Sequence, residues 1–402
     1  MSGFSGHVPG SREYRRLLVG LFFGGVATFA QLYATQALLP QITLGTSADP
    51  ATAALTVSAS TLGLAIAVLP WSLVADRIGR VPAMGVGIVL ATLFGAVAPF
   101  SGDISVLLLL RLLEGAALGA VPAVALAYLS EEVDARYVAA AAGSYIAGTT
   151  VGGLSGRVVS GFVGEFSDWR WGVASVIALC AVASAIFLGL VPRARVFVPG
   201  RGRARSGPSI ASRLFVNLRS PAQLTLYAQG FLLMGAFVAV YNYLGFHLTE
   251  PPFSLAPGVV TLLFLAYLAG TVSSPRAGAL AVRRGRYPVL LGAIMAMAGG
   301  AALLAVPVTI VVIAGLVVFT AGFFGAHAVA SGWTPVAADP EARAQASSLY
   351  YLGYYGGSSL FGWLLGVVFA ALGWGTFLAV VIAMCAVSAA LAASVLRPGR
   401  FA

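Results

Sequence analysis

Arg111 and Glu114 stand three residues apart in a run, 104–128, whose other side chains are almost all apolar. On a helix that spacing puts both on one face. A charge in apolar surroundings is costly unless it is paired or hydrated. Such a pair can hold and exchange a proton, form a static salt bridge, or touch a polar ligand. Burial favours the neutral acid and the guanidinium favours the carboxylate, so Glu114 is the leading candidate for a proton carrier and Arg111 for its partner. Arg157 is a second isolated charge, in 138–163, behind Gly148, Gly152, Gly153 and Gly156. It either binds an anion or donates to a nearby carbonyl. Those glycines permit close backbone approach, and we expect their helix to pack against the opposite half of the molecule. Further polar or aromatic residues in apolar runs are Gln31, Tyr33, Gln36, Tyr145, Tyr241, Asn242, His327, Tyr351 and Tyr355. They are candidate ligand contacts, although such residues also serve packing and interfacial belts. His327 reads either as a hydrogen-bonded core residue or as a proton relay. There is no Ser/His/Asp set at compatible depth, no phosphate loop and no Cys/His metal spacing. The chain is not read as an enzyme, and no metal or cofactor is expected.

The elements that must carry these residues follow from composition. Charged residues are 9% of the 402 and apolar ones 59%, against roughly 25% charged in a soluble domain. So few charges cannot cover a soluble surface, and an all-α integral membrane protein results. A crossing needs about 20 apolar residues. Twelve segments qualify: 17–40, 53–75, 82–101, 104–128, 138–163, 171–191, 222–248, 257–277, 288–308, 310–333, 343–370 and 374–396, with Pro307 and the run Gly373, Trp374, Gly375 as breaks. All 23 basic residues are arginine. With the N-terminus inside, 20 of them fall on the inner side and Arg170 alone on the outer. The net charge of +10 therefore reports topology rather than nucleic-acid binding. Both termini are expected in the cytoplasm of a plasma (inner) membrane protein. The first apolar run is too long for a cleaved signal.

The chain repeats. Ala75, Arg77, Gly79, Arg80 and Pro82 recur as Ala281, Arg283, Gly285, Arg286 and Pro288, displaced by 206 positions, with Val282 in place of Asp76. Asp134-Ala135-Arg136 matches Glu341-Ala342-Arg343, and Cys180 matches Cys385. Two six-helix bundles, 1–192 and 222–402, are therefore expected on either side of a basic linker, 193–221. Parallel duplication of this kind occurs in transporters with the substrate site between the halves.

The stretch from Ser72 through Ala75, Asp76, Arg77, Gly79 and Arg80 resembles the loop between helices two and three of the major facilitator superfamily. Arg111, Glu114 and Gly115 resemble its helix-four motif, with Glu114 at a Gln position. The glycines from Gly148 to Gly156, followed by Arg157, resemble its antiporter motif. Tyr33, Gln36 and Pro40, with Gly152 to Arg157, are similar to the YnfM-type efflux permeases. The resemblance implies a monomeric secondary transporter of twelve helices, working by alternating access on a small-molecule substrate. It further implies gating by Asp76, Arg77, Gly79, Arg80, Arg283 and Arg286. Export driven by protons is expected, in contact with membrane lipids. Gln31 replaces the helix-one acid of many drug antiporters, and Arg111 with Arg157 favours an anionic or zwitterionic solute over a lipophilic cation. An importer or facilitator, a lipid flippase, or a non-transporting sensor are the rival readings.

Overall fold

The structure is a computed structural model that describes residues 6–195 and 210–397. Arg201, Arg203, Arg205 and Arg400, counted above for orientation, lie outside the described residues. Ser11 caps α1 (Arg12–Leu32), its hydroxyl accepting from the Tyr14 amide at 3.2 Å. The chain then breaks, makes a 3₁₀ turn at Gln36–Leu38, and resumes as α2 (Leu39–Thr46). There follow α3 (Pro50–Ile78), α4 (Arg80–Val97), α5 (Ile104–Leu118), α6 (Ala120–Glu132), α7 (Val138–Phe166) and α8 (Trp169–Leu190). The second half runs through α9 (Ile210–Arg219), α10 (Pro221–Thr249), α11 (Pro257–Leu262), α12 (Tyr267–Arg284), α13 (Arg286–Leu303), α14 (Thr309–Trp333) and α15 (Arg343–Val395). Among the described residues the only strand-like pairing is a bridge between His7 and Val133.

Among the described residues, ten helical segments are long and apolar enough to cross a membrane. One of them, α15, has 53 residues, about 80 Å at 1.5 Å per residue and far more than a roughly 30 Å core requires. Gly373 breaks it at φ 75°, where the sequence predicts a break. The glycine-, serine- and threonine-rich α7, of 29 residues, is long enough to cross but is not among the ten. With α7 included and α15 counted as two, the described residues hold twelve candidate crossings.

Chain contacts divide the molecule into two compact units, one of Met1–Ala48 with Ala59–Arg205 and one of Asp49–Ser58 with Ser206–Ala402. The division runs through α3.

Inside the first unit, the expectation that the α7 glycines face the opposite half is corrected. They face α1 of their own unit. A Cβ at Gly148, Gly152 or Gly156 would overlap the backbone carbonyl oxygens of Phe22, Val26 and Ala30 respectively. Both series advance by four, so the two backbones lie against each other for two turns, close packing that only glycine permits. The second unit repeats the contact 205 positions on. A Cβ at Gly353 would meet Tyr227 O at 3.2 Å, and one at Gly357 would overlap Phe231 O. At the next turn the sizes exchange. Gly156 against Ala30 becomes the larger Phe361 against Gly235.

The same duplication shows in the turns. Gly79 (φ 103°, ψ 157°) separates α3 from α4, and Gly285 (φ 88°, ψ 152°) separates α12 from α13. This conformation disfavours any residue with a Cβ.

The linker is not wholly irregular. Within it α9 docks on the second unit, the buried Asn217 amide donating to Ala342 O at 3.1 Å.

Candidate functional site

The break after α1 organises the first unit; it lies inside the expected crossing 17–40, which the structure carries as one span, Arg12–Thr46. A helix that ends inside the bundle leaves carbonyls without intrahelical donors. Arg111, carried in by α5, supplies a donor to Leu32 O and a further one to Gln31 O, which the Ala34 amide also reaches at 3.2 Å. Its guanidinium donates to Leu32 O at 2.8 Å and Gln31 O at 3.1 Å, and to Glu114 Oε2 at 2.5 Å. Both side chains of the pair are fully buried. A cation at a helix C-terminus also meets the negative end of the helix dipole. The other carboxylate oxygen, Glu114 Oε1, has no hydrogen-bond partner among the described residues, and neither does Gln31 Oε1. The Gln31 amide nitrogen is already committed to Ala27 O at 3.1 Å. A Cβ built at Gly95 would lie 2.9 Å from Glu114 Oε1 and 3.2 Å from Gln31 Oε1, so both acceptors border the space beside Gly95.

Arg157 reaches the other side of the same break from α7. Its Nε donates to Gln36 Oε1 at 2.6 Å, Nη1 donates to Gly153 O, and the guanidinium lies 3.9 Å over the Tyr33 ring. Of the two sequence readings, the carbonyl contact is thus present. Tyr145 is buried on α7, next to the glycines. Gln31, Tyr33, Gln36, Arg111, Glu114 and Arg157 are accordingly gathered around one irregular stretch of the first helix. Irregular backbone at such depth requires donors from neighbouring side chains.

In the second unit the candidates fall into two groups. Asn242 Nδ2 and Tyr243 Oη both donate to Gly362 O, at 3.3 and 2.7 Å. Tyr241 Oη pairs with Thr320 Oγ1 at 2.7 Å, and His327 Nδ1 pairs with Tyr350 Oη at 2.9 Å. Stacked rings link these two pairs. Phe237 lies 5.0 Å from Tyr241 and 3.9 Å from Phe323, which lies 6.0 Å from His327. Tyr351 is 46% exposed, whereas Tyr355 is buried. The sequence gives no signal for Thr320, since a single hydroxyl in an apolar run carries none of its own. No arginine, aspartate or glutamate is buried in this unit among the described residues; Arg111, Glu114, Glu132 and Arg157 all belong to the first.

At the arginine-rich end, Arg80 is clasped by two acids. Nη1 meets Asp76 Oδ1 at 2.7 Å, while Nε and Nη2 meet Glu131 Oε2 and Oε1 at 3.2 and 2.9 Å. Glu131, on α6, was not singled out from the sequence. Its bidentate geometry makes it the better anchored acid, and its side chain is 27% exposed against 57% for Asp76. Gly79 turns the chain between them and Arg77 is exposed. Arg283 and Arg286 are exposed and form no ion pair among the described residues. Val282 stands where Asp76 does and Ala337 or Ala338 where Glu131 does, so both acids of the clasp are lost together in the second copy.

Comparison with known proteins places these features. The Major Facilitator Superfamily model matches residues 21–361. The inner membrane transport protein YnfM of Escherichia coli is 38% identical over 93% of this chain and 89% of its own. The MFS-type transporter YybF of Bacillus subtilis is 34% identical over 91% and 89%. Among solved structures, a mutant form of the nucleoside transporter NupG superposes with a TM-score of 0.79 at 17% identity, covering 95% of this chain and all of that one. The twin six-helix repeat, the Arg80 clasp and the helix-four Arg111–Glu114 pair therefore belong to a multi-pass membrane transporter, and the chain is a member of the Major Facilitator Superfamily.

Proposed function

We propose that the chain exports a small organic solute, anionic, zwitterionic or drug-like, in exchange for protons across the inner membrane of a prokaryote. It works as a monomer by alternating access, with both termini cytoplasmic as the arginine distribution implies. The observation that supports this reading is that Glu114 Oε1 and Gln31 Oε1, both buried without a hydrogen-bond partner among the described residues, border the same space beside Gly95. Buried acceptors without donors are unfavourable, and a proton on Glu114 would supply a donor to that space. Protonation also weakens the hold of Glu114 on Arg111, whose remaining bonds are to the broken end of α1. Proton occupancy and the conformation of the first helix are thereby coupled. Arg157 with Gln36 and Tyr33, beside Gln31 and Tyr145, would favour a solute carrying negative charge. Tyr241, Asn242, His327, Tyr351 and Tyr355 supply aromatic and polar contacts from the second unit. The clasp of Asp76 and Glu131 on Arg80, beside Arg77 and Gly79, would serve as a conformational latch, with Arg283 and Arg286 as its uncharged-partner counterpart in the repeat.

The test is transport in proteoliposomes under an imposed pH gradient, with a panel of organic acids, amino acids and dyes. Solute movement that dissipates the gradient in wild type, and not in Glu114→Gln, supports the reading. Solute flux that ignores the gradient, or persists unchanged in Glu114→Gln, refutes proton coupling and leaves a facilitator.

A further inference from the structure

We infer that the first unit carries a built site for one anionic glycerophospholipid, in the groove between α4 and the end of α8, with the phosphate on Arg193. The groove encloses about 630 Å³, within the usual range of roughly 300–1,000 Å³ for ligand sites. It runs along α4 from Arg80 to Leu90, about 15 Å at 1.5 Å per residue. Its wall is apolar for most of that length, with Val86, Val89 and Leu90 on one side and Leu188 on the other. These four side chains are exposed. On α4 the row continues through Leu93 and Val97, also exposed. In a membrane protein such a row at helical spacing is a lipid-facing surface, and the groove is its recessed part.

The two ends differ in kind. The end at Leu90 meets only apolar side chains, whereas the other is rimmed by Arg80 and Arg193. Arg80 is occupied by Asp76 and Glu131, which leaves its charge largely compensated. Arg193 is exposed at the mouth of the groove, just past α8. An elongated apolar trough with a guanidinium at one end matches an acyl chain joined to a phosphate, and basic pockets beside transmembrane helices bind such headgroups. A zwitterionic lipid presents its own cation there and complements the site less well. The occupant would rest on the turn from Gly79 to Pro82, next to the Arg80 clasp. This site is separate from the Glu114 region and does not depend on the transport reading.

The experiment measures the thermal unfolding midpoint of the purified full-length protein in detergent as lipid is titrated. Dioleoylphosphatidylglycerol, dioleoylphosphatidylcholine and glycerol 3-phosphate are compared in wild type, Arg193→Gln, Arg193→Lys and Val86→Trp. Phosphatidylglycerol should raise the midpoint saturably, and phosphatidylcholine and glycerol 3-phosphate should not. Arg193→Gln should need about tenfold more phosphatidylglycerol, the loss of one charge-assisted bond, and Arg193→Lys should largely restore the wild-type response. Val86→Trp, which fills the trough from an exposed position, should abolish the response without lowering the lipid-free midpoint. Equal responses to the two lipids overturn the proposal, as does a response to glycerol 3-phosphate alone. So does an undiminished phosphatidylglycerol response in either Arg193→Gln or Val86→Trp.

Discussion

Replacing Arg111 with leucine and Glu114 with glutamine should have unequal effects on stability, although each removes one charge of the same pair. Arg111 makes buried hydrogen bonds to Glu114 Oε2, Leu32 O and Gln31 O. Arg111→Leu strips a donor from Leu32 O and from the carboxylate, while Gln31 O keeps the Ala34 amide at 3.2 Å. An unsatisfied buried group costs about 1–3 kcal/mol, and breaking a buried pair from one side costs about 3–5 kcal/mol in all. Glu114→Gln behaves differently. Its amide oxygen still accepts from Arg111, and its amide nitrogen can donate to Gln31 Oε1, returning about 1 kcal/mol. The guanidinium keeps both carbonyls and the negative end of α1, worth about 0.3–2 kcal/mol. The expected net loss is about 1–2 kcal/mol. Tryptophan fluorescence during denaturant and thermal unfolding, in one detergent, ranks the variants. Arg111→Leu should unfold well below Glu114→Gln, and Gln31→Leu should remove the compensation, giving a coupling near about 1 kcal/mol in a double-mutant cycle. Equal destabilisation by the two single variants would refute the account, because the broken helix end would then not depend on Arg111.

Gly79→Ala and Gly285→Ala should each lower stability by about 1–2 kcal/mol, since both sites hold positive φ; unchanged unfolding midpoints would show that the turns relax. Glu131→Gln should reduce transport at least as much as Asp76→Asn, several-fold with normal expression, because it loosens the two-bond side of the Arg80 clasp; wild-type turnover in proteoliposomes would dismiss the latch. Asp49 accepts from the hydroxyl and amide of Thr52 at the start of α3, and these bonds hold its carboxyl below the ordinary carboxylate range. A lowered folded-state value means that its stabilisation is complete above the unfolded value near about 3.9 and is lost as pH falls through the folded one. The gap in unfolding midpoint between wild type and Asp49→Ala should therefore be constant well above the unfolded value of about 3.9 and close only as pH falls below it.

Much of this molecule is legible in one dimension. The scarcity of charge requires a membrane, and apolar run lengths count the crossings. The repeated Arg77–Gly79–Arg80 pattern locates two equivalent turns, and both have the positive φ that the glycines allow. Arg111 and Glu114 were identifiable because an isolated charge in an apolar run demands a partner, and three residues is the spacing at which a helix supplies one. What stayed hidden depends on partners remote in sequence. The α7 glycines announce close packing without saying against what, and only the fold shows Phe22, Val26 and Ala30 beneath them. The break after Leu32 has no local marker such as glycine, because the arginines that satisfy it come from α5 and α7. Glu131 sits at a helix end where an acid is unremarkable until Arg80 reaches it.

The medium, the twelve expected crossings, the duplication and the identity of the buried charges can be read along the chain, since each follows from local composition or spacing. It took the folded chain to bring Arg111 and Arg157 to one interrupted helix and to set the unpartnered oxygens of Glu114 and Gln31 beside Gly95. The physical reason is that hydrogen bonding and charge pairing are short-range in space, and no property of neighbouring residues along the chain records which distant group will stand within about 3 Å.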